Sequence, residues 1–225
     1  MYETWQHVFK LDPNKTLTFK QLDAVCQSNT DAIIIGGTDG VTLEDTLELM
    51  TYVRKYNKPC LLEVSTMEAL MPGFDYYGVP MVLNSQEKKW MMDLQHEAVK
   101  DSIDLLDRDR ILAEGYVIMN PKAKAYQLTN CFLPTNDDVV AYAEMAETLF
   151  RLPFFYLEYS GTYGDVDLLK KVSERLDHTQ LIYGGGIKSI DQAREMAQYA
   201  DTIVVGNSLY DHFDEALKTA NITKE

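Results

Sequence analysis

Cysteine, histidine and positive charge are all scarce in this chain, and each shortage closes off a class of function. The three cysteines, Cys26, Cys60 and Cys131, are odd in number, far apart and without CxxC spacing. That excludes a disulfide framework, a zinc ribbon and a dithiol redox motif, and leaves reduced thiols in or near a core. The four histidines, His7, His96, His178 and His212, show no metal-ligand spacing. Lysine and arginine number 21 against 35 acidic residues, a net charge of −14. A nucleic-acid partner needs a basic face, so none is expected, and any anion site must be local. No run approaches the roughly 18 apolar residues of a membrane-spanning helix. The opening MYETWQHVFKLD has neither the basic nor the apolar region of a signal peptide. With no Pro- or Ser-rich linker to divide it, the chain is expected to be one cytoplasmic domain over residues 1–225, long enough for a full barrel.

What is present is concentrated in two stretches near the C-terminus, Gln180–Ser189 (QLIYGGGIKS) and Thr202–Ser208 (TIVVGNS). Each is a β-branched run that ends in glycine and opens onto a helix with a serine at its start. Gly184, Gly185 and Gly186 remove every Cβ from the first turn, so backbone N–H groups can approach an anion closely. Ser189 begins a capping-box pattern, which places a helix N-terminus just beyond. Gly206-Asn207-Ser208 repeats the arrangement. Ordinary tight strand-to-helix turns would look similar one at a time. Two in succession, last in the chain, match the phosphate grip after strands 7 and 8 of a (β/α)8 barrel.

The rest of the chain alternates accordingly. Strand 1 is His7–Asp12, with Val8, Lys10 and Asp12 on one face and Phe9 and Leu11 on the other; the first set is read as pointing into the barrel. A helix over Thr18–Ser28 leads to strand 2, Asp31–Gly37, and to the rim loop Gly36-Gly37-Thr38-Asp39-Gly40. Helix 2 spans Leu43–Tyr56 and strand 3 spans Pro59–Ser65. Thr66–Gly78 is then broken by Pro72, Gly73 and Gly78, so the third crossover helix is irregular or missing. Its apolar side chains, Met67, Leu70, Met71, Phe74, Tyr76 and Tyr77, either cover the core or line a groove for something long and apolar. Strand 4 is placed at Val79–Asn84, a helix at Glu87–Leu106 and strand 5 at Glu114–Asn120. The following loop carries Lys122 and Lys124, read chiefly as solvated surface. After a helix over Asp137–Phe150 comes strand 6, Phe154–Gly161, with Tyr156, Glu158 and Ser160 on one face and Phe155, Leu157 and Tyr159 on the other. A buried carboxylate such as Glu158 needs a partner, either an inward lysine such as Lys10 or a polyhydroxy substrate. Helices over Asp165–Leu176, Ile190–Tyr199 and Leu209–Ala220 complete a (β/α)8 TIM barrel.

By position, Lys10, Asp12, Thr38, Tyr156, Glu158 and Ser160 reach the rim together with the last glycine turns. Asp12 near the Thr38 hydroxyl suits a Mg²⁺ that keeps most of its waters. Glu158 beside tyrosine and serine suits gripping, and deprotonating, an alcohol. Residue pattern alone stops at a phosphate-binding barrel enzyme with a polar rim.

The segments FKLDPNK (Phe9–Lys15), DAIIIGGTDGVT (Asp31–Thr42), LEVS (Leu62–Ser65), PGFDYY (Pro72–Tyr77), VLNS (Val82–Ser85), AEGYVIMNP (Ala113–Pro121), FYLEYSG (Phe155–Gly161), YGGGIKS (Tyr183–Ser189) and VVGNSLY (Val204–Tyr210) occur in this order. Together they resemble the geranylgeranylglyceryl phosphate synthase family of prenyltransferases, most of all its bacterial PcrB branch of heptaprenylglyceryl phosphate synthases. The resemblance implies Mg²⁺ held by Asp12 and Thr38, and sn-glycerol 1-phosphate held by Lys10, by Tyr156, Leu157, Glu158, Tyr159, Ser160 and Gly161, and by Gly186, Gly206 and Asn207. It also implies transfer of a prenyl chain, heptaprenyl in the bacterial branch, from a polyprenyl diphosphate to the C3 hydroxyl. Asp12, through the metal, and Glu158 are read as the catalytic groups, Glu158 as proton acceptor being a hypothesis added to its implied role in binding. A homodimer is implied as well. Because the product partitions into lipid, transient contact with a membrane surface is a further expectation.

Two rival readings remain open at this point. A sugar-phosphate isomerase would share the glycine turns but needs an acid–base pair at strands 1 and 5, where Asn120 replaces the acid. A non-catalytic binder of a phospholipid precursor would not need Asp12 and Thr38.

Overall fold

The computed structural model describes residues 2–66, 70–102 and 107–222. Eight parallel strands close into a barrel in sequence order: β1 (His7–Leu11), β2 (Ala32–Ile35), β3 (Cys60–Glu63), β4 (Tyr76–Val82), β5 (Ile111–Ile118), β6 (Phe154–Glu158), β7 (Gln180–Gly184) and β8 (Thr202–Val205). Pairing of Val8 with both Ala32 and Val204 closes the ring. Strands buried on both faces need continuous apolar runs, as AIII of β2 and TIVV of β8 provide. The (β/α)8 expectation holds.

The helices start where hydroxyl and carboxylate caps predict. Thr18 caps α1 (Phe19–Gln27) in a capping box with Gln21, Thr42 caps α2 (Leu43–Val53), and a capping box of Thr135 with Asp138 opens α5 (Asn136–Met145). Between α2 and α5 lie α3 (Leu94–Ser102) and the short α4 (Lys124–Leu128). After β6, Asp165 caps α6 (Val166–Ser173) and Ser189 caps α7 (Ile190–Ala197); α8 (Ser208–Asp211) and α9 (Phe213–Lys218) follow β8. π-Helical turns at Lys89–Asp93 and Ala146–Phe150 flank α3 and α5.

The alternation read from β1 and β6 is realised. Phe9, Leu11, Phe155, Leu157 and Tyr159 pack in the layer between strands and helices, whereas Val8, Phe154 and Tyr156 belong to the separate cluster inside the barrel. At the N-terminal ends of the strands, Tyr2 and Trp5 close the barrel with edge-on contacts to Phe154 at 5.0 Å and to Tyr76 at 5.6 Å.

The third crossover contains no helix among its described residues. The apolar groove offered as one reading of that segment is not formed from the residues named. Met71, Phe74 and Tyr77 are buried in the core, the Tyr77 hydroxyl donates to the Met71 carbonyl at 3.1 Å, and Leu70 packs partly buried against the same core. Tyr76 sits at the opposite, N-terminal end of the barrel, and Met67 lies outside the described residues. The cause is that β4 starts three residues before Val79: Tyr76-Tyr77-Gly78 pair with Leu61-Leu62-Glu63. Gly78 breaks no strand here. Its missing side chain makes room for the Glu114 carboxyl inside the barrel. β5 likewise begins at Ile111 rather than Glu114, and the end of the helix expected to reach Leu106 falls in 103–106, outside the described residues.

Candidate active site

Strand direction puts the C-terminal ends of all eight strands at one rim, where loops of different crossovers meet. A cavity of about 600 Å³ opens there. Lys10, Asp12, Thr38, Tyr156, Glu158, Ser160, Gly161, Gly186, Gly206 and Asn207 all line it, drawn from strands 1, 2, 6, 7 and 8. Leu157 and Tyr159 do not. Their side chains point to the outer layer, Tyr159 against Tyr183, so β6 presents only its alternate residues to the cavity.

The glycine turns are built for close approach. Gly186 has φ +61°, and a Cβ there would run into the backbone of Thr162 and Tyr163. Gly206 differs: a Cβ would meet nothing nearer than Lys10 at 3.5 Å, so the empty space above it faces the cavity. Ser189 caps α7 by accepting from Gln192 N–H at 3.3 Å, while the Gln192 side chain accepts from Lys188 N–H at 2.8 Å. At the end of β6, Ser160 takes φ +42°, unusual for a residue with a Cβ. This turn aims the Ser160 N–H at Glu158 Oε1, and Asn120 secures it by donating to the Ser160 carbonyl at 3.1 Å.

Beneath the cavity lies a charge cluster that the sequence reading did not find as a unit. Lys10 Nζ is 2.5 Å from Glu63 Oε2, so of the two partners considered for Glu158 the Lys10 ion pair is not the one formed. Glu158 instead accepts from the Tyr116 hydroxyl at 3.1 Å and from Ser160 N–H. Glu63 on β3 and Glu114 on β5 are buried, at 7% and 1% exposure. Both were detectable by the same period-two alternation that singled out Glu158. Burial alone would lower the pKa of Lys10, but Glu63, Glu158 and Glu114 outweigh it and the ammonium is held charged. Burial raises Glu158 above the usual carboxylate range; Lys10, Ser160 N–H and Tyr116 oppose that rise and Glu63 adds to it. Glu114 is raised further still by burial and by Glu63, against Lys10. Its Oε2 has no hydrogen-bond partner, which adds to the cost of charging it. Tyr116 and Tyr156 stack at 4.5 Å beside Glu158, and both hydroxyls are pushed up by burial and the nearby carboxylates, so both remain protonated.

Three further residues frame the mouth. The Tyr210 hydroxyl accepts from Asp12 N–H at 2.9 Å. Lys15 Nζ donates to Asn207 Oδ1 at 2.9 Å and lies 3.9 Å from Asp12 Oδ2. Lys124, read as solvated surface, is exposed but spans to Asp39 at 2.8 Å, joining the loops after β2 and β5.

No group of three or more His, Cys, Asp or Glu side chains suited to a metal occurs among the described residues. That donor count does not suit zinc or calcium. A magnesium ion asks less of the protein, one or two oxygens with waters and phosphate oxygens for the rest. Asp12 and Thr38, lining one cavity at its mouth, fit that demand.

A closed parallel barrel with its polar cavity at the strand C-termini, under glycine turns after β7 and β8, defines the class as a (β/α)8-barrel protein. The PcrB family model matches residues 1–224, and the chain belongs to the PcrB family. It is 58% identical over 221 residues to heptaprenylglyceryl phosphate synthase of Oceanobacillus iheyensis, covering 98% of this chain and 96% of the relative. The protein of the same name from a Geobacillus species is 55% identical over 98% of this chain and 97% of the relative. Among solved structures, (S)-3-O-geranylgeranylglyceryl phosphate synthase of Thermoplasma acidophilum, in complex with sn-glycerol-1-phosphate, superposes with a TM-score of 0.82 at 20% identity, covering 96% of this chain and 92% of that one. At that identity the likeness speaks for the fold.

Proposed function

We propose that this chain transfers a heptaprenyl group from its diphosphate to the C3 hydroxyl of sn-glycerol 1-phosphate, forming an ether lipid precursor. The observation that carries the reading is near full-length identity above one half to heptaprenylglyceryl phosphate synthases. A cavity lined by a charged lysine and by Glu158, a carboxylate that forms no ion pair with it, is consistent with it.

In this reading the phosphate rests against Gly186, Gly206 and Asn207, with Lys10 supplying positive charge from inside the barrel. Ser160, Gly161 and Tyr156 bound the glycerol. Glu158 hydrogen-bonds its hydroxyls and accepts the C3 proton as that oxygen bonds to C1 of the prenyl chain and the C1–O bond to diphosphate breaks. A raised pKa makes Glu158 a better acceptor than an ordinary carboxylate. Asp12 and Thr38 would hold Mg²⁺, which neutralises the departing diphosphate. Leu43 and Leu47, exposed on α2 beside the crossover without a described helix, favour that side of the barrel for the prenyl chain. We place the enzyme in the cytoplasm, as a homodimer that meets the membrane transiently to release its product. No helix among the described residues is long and apolar enough to cross a membrane, and the three cysteines are free and buried.

The test is transfer of label from radiolabelled sn-glycerol 1-phosphate into an organic phase, with polyprenyl diphosphates from C15 to C35 and with or without Mg²⁺. Transfer that needs Mg²⁺, is best at C35 and is lost in Asp12→Asn supports the reading. Folded protein that binds glycerol phosphate but transfers no chain overturns it.

A further inference from the structure

One ammonium inside the barrel is offered to more than one carboxylate, and the structure shows which takes it. Lys10 on β1 points up toward the rim, with Glu63 on β3 at one side and Glu158 on β6 lining the same cavity. Lys10 closes on Glu63 at 2.5 Å and forms no ion pair with Glu158. Glu63 itself does not line the cavity. It reaches Lys10 from below, its Cβ packed where Gly36 lacks a side chain, and its second oxygen, Oε1, has no partner.

We propose that Glu63 is a positioning residue: by holding the Lys10 ammonium on the β3 side of the barrel, it keeps Lys10 from closing onto Glu158, so that Glu158 stays free for the glycerol hydroxyl. The inference rests on the reading of Glu158 as proton acceptor. Its physical basis is competition. The Lys10 ammonium is only 20% exposed, reached by water from the cavity side alone, so pairing with a neighbouring carboxylate is favoured over standing unpaired. Without a charge at position 63, the remaining carboxyls in its field are Glu158 and Glu114, and burial disfavours the charged form of Glu114 more strongly. Lys10 would then swing to Glu158, and the two would neutralise each other across the cavity. The groups that act on Glu158 are Lys10 from β1, Glu63 from β3, Tyr116 from β5, and Tyr156 and the Ser160 N–H from its own strand and turn. Lys10 is the cation among them; Lys15 and Lys124, which line the same cavity, are already engaged with Asn207 and Asp39.

The experiment is the pH dependence of kcat at saturating substrates and Mg²⁺ for the wild type, Glu63→Gln, Glu63→Asp and Glu158→Gln. Beside it, infrared titration follows the Glu158 carboxyl in ligand-free protein, assigned by difference against Glu158→Gln. In Glu63→Gln, loss of the like charge and arrival of Lys10 both stabilise the ionised form. The acid limb and the Glu158 carboxyl signal should therefore move down by about one pH unit or more. kcat at neutral pH should fall about tenfold or more, and KM for glycerol phosphate should rise as Lys10 leaves its place beside the phosphate. Glu63→Asp keeps a charge and should restore most of the limb position. A drop in kcat and thermal stability with limb and carboxyl signal unmoved would make Glu63 a structural ion pair and overturn the proposal. If Glu158→Gln leaves the acid limb in place, Glu158 is not the proton acceptor. The infrared titration then decides alone, a shifted Glu158 signal in Glu63→Gln supporting the control of Lys10 and an unshifted one overturning it.

Discussion

The hydroxyl of Tyr210, from α8 after the last strand, accepts the backbone N–H of Asp12, at the end of the first strand, at 2.9 Å. The two ends of the barrel are thus tied at the rim, and the position of the Asp12 carboxylate depends on a residue 198 positions away. Lys15 reinforces the tie by lying over the Tyr210 ring, 5.0 Å from its centre.

Tyr210→Phe keeps the ring and removes the acceptor. A hydrogen bond of this kind contributes about 1 kcal/mol, so folding should weaken slightly. The larger effect should be on Asp12, seen as a several-fold rise in the Mg²⁺ concentration for half-maximal transfer, with glycerol phosphate affinity nearly unchanged. An unchanged Mg²⁺ requirement would detach Tyr210 from the metal site.

The two glycine turns make opposite predictions for alanine. At Gly206 the fold has room for a Cβ, with its nearest neighbour at 3.5 Å. Gly206→Ala should keep its unfolding temperature yet lose tenfold or more in calorimetric affinity for glycerol phosphate, about 1.4 kcal/mol. At Gly186 the positive φ and the Thr162–Tyr163 backbone forbid a side chain. Gly186→Ala should cost about 1–3 kcal/mol of stability in addition to ligand affinity. A Gly206→Ala protein that binds like the wild type would move the phosphate elsewhere.

His7 is buried between the hydroxyls of Thr30 and Thr219, and burial depresses its pKa to about 3 despite the opposing backbone hydrogen bond. An unfolded histidine binds its proton near pH 6.5, so the unfolded state takes up protons that the folded state refuses. Stability should therefore be intact above pH 6.5 and fall by about 1.4 kcal/mol for each unit below it. Urea unfolding of the wild type and His7→Gln between pH 4 and 7 checks this, because the variant should lose that component of the slope.

Glu114 has the opposite sign. Its folded pKa is raised, so folding takes up a proton once the pH passes the ordinary carboxylate value. Its contribution is fully present at low pH and is lost as pH rises toward the folded value. Glu114→Gln is already neutral, so its stability relative to the wild type should improve from pH 5 to pH 8 in urea unfolding. A pH-independent difference would show that Glu114 is ionised in the folded barrel.

Much of this protein is written locally. Period-two alternation in HVFKLD and FFYLEYS assigned inner and outer faces of β1 and β6, because a strand's side chains must alternate whatever it packs against. Threonine and serine caps marked helix starts, and glycine turns marked the rim, because both satisfy backbone needs within a few residues. What failed was whatever depended on a neighbouring strand. Gly78 read as a breaker, and only the Glu114 carboxyl beside it explains why a central strand carries a glycine there. Leu157 and Tyr159, next to cavity residues in the chain, are turned away from the cavity by the pleat. Alternation offered Lys10 as one partner for Glu158 and left Glu63 unnoticed, and the closed barrel paired Lys10 with Glu63, 53 residues distant. The sequence alone determined the barrel, its family and the strand ends that form the rim, since periodicity, caps and turns are short-range. Which charges pair inside, and therefore which carboxylate is left free to act, was decided only when eight strands brought Lys10, Glu63, Glu114 and Glu158 into one buried volume.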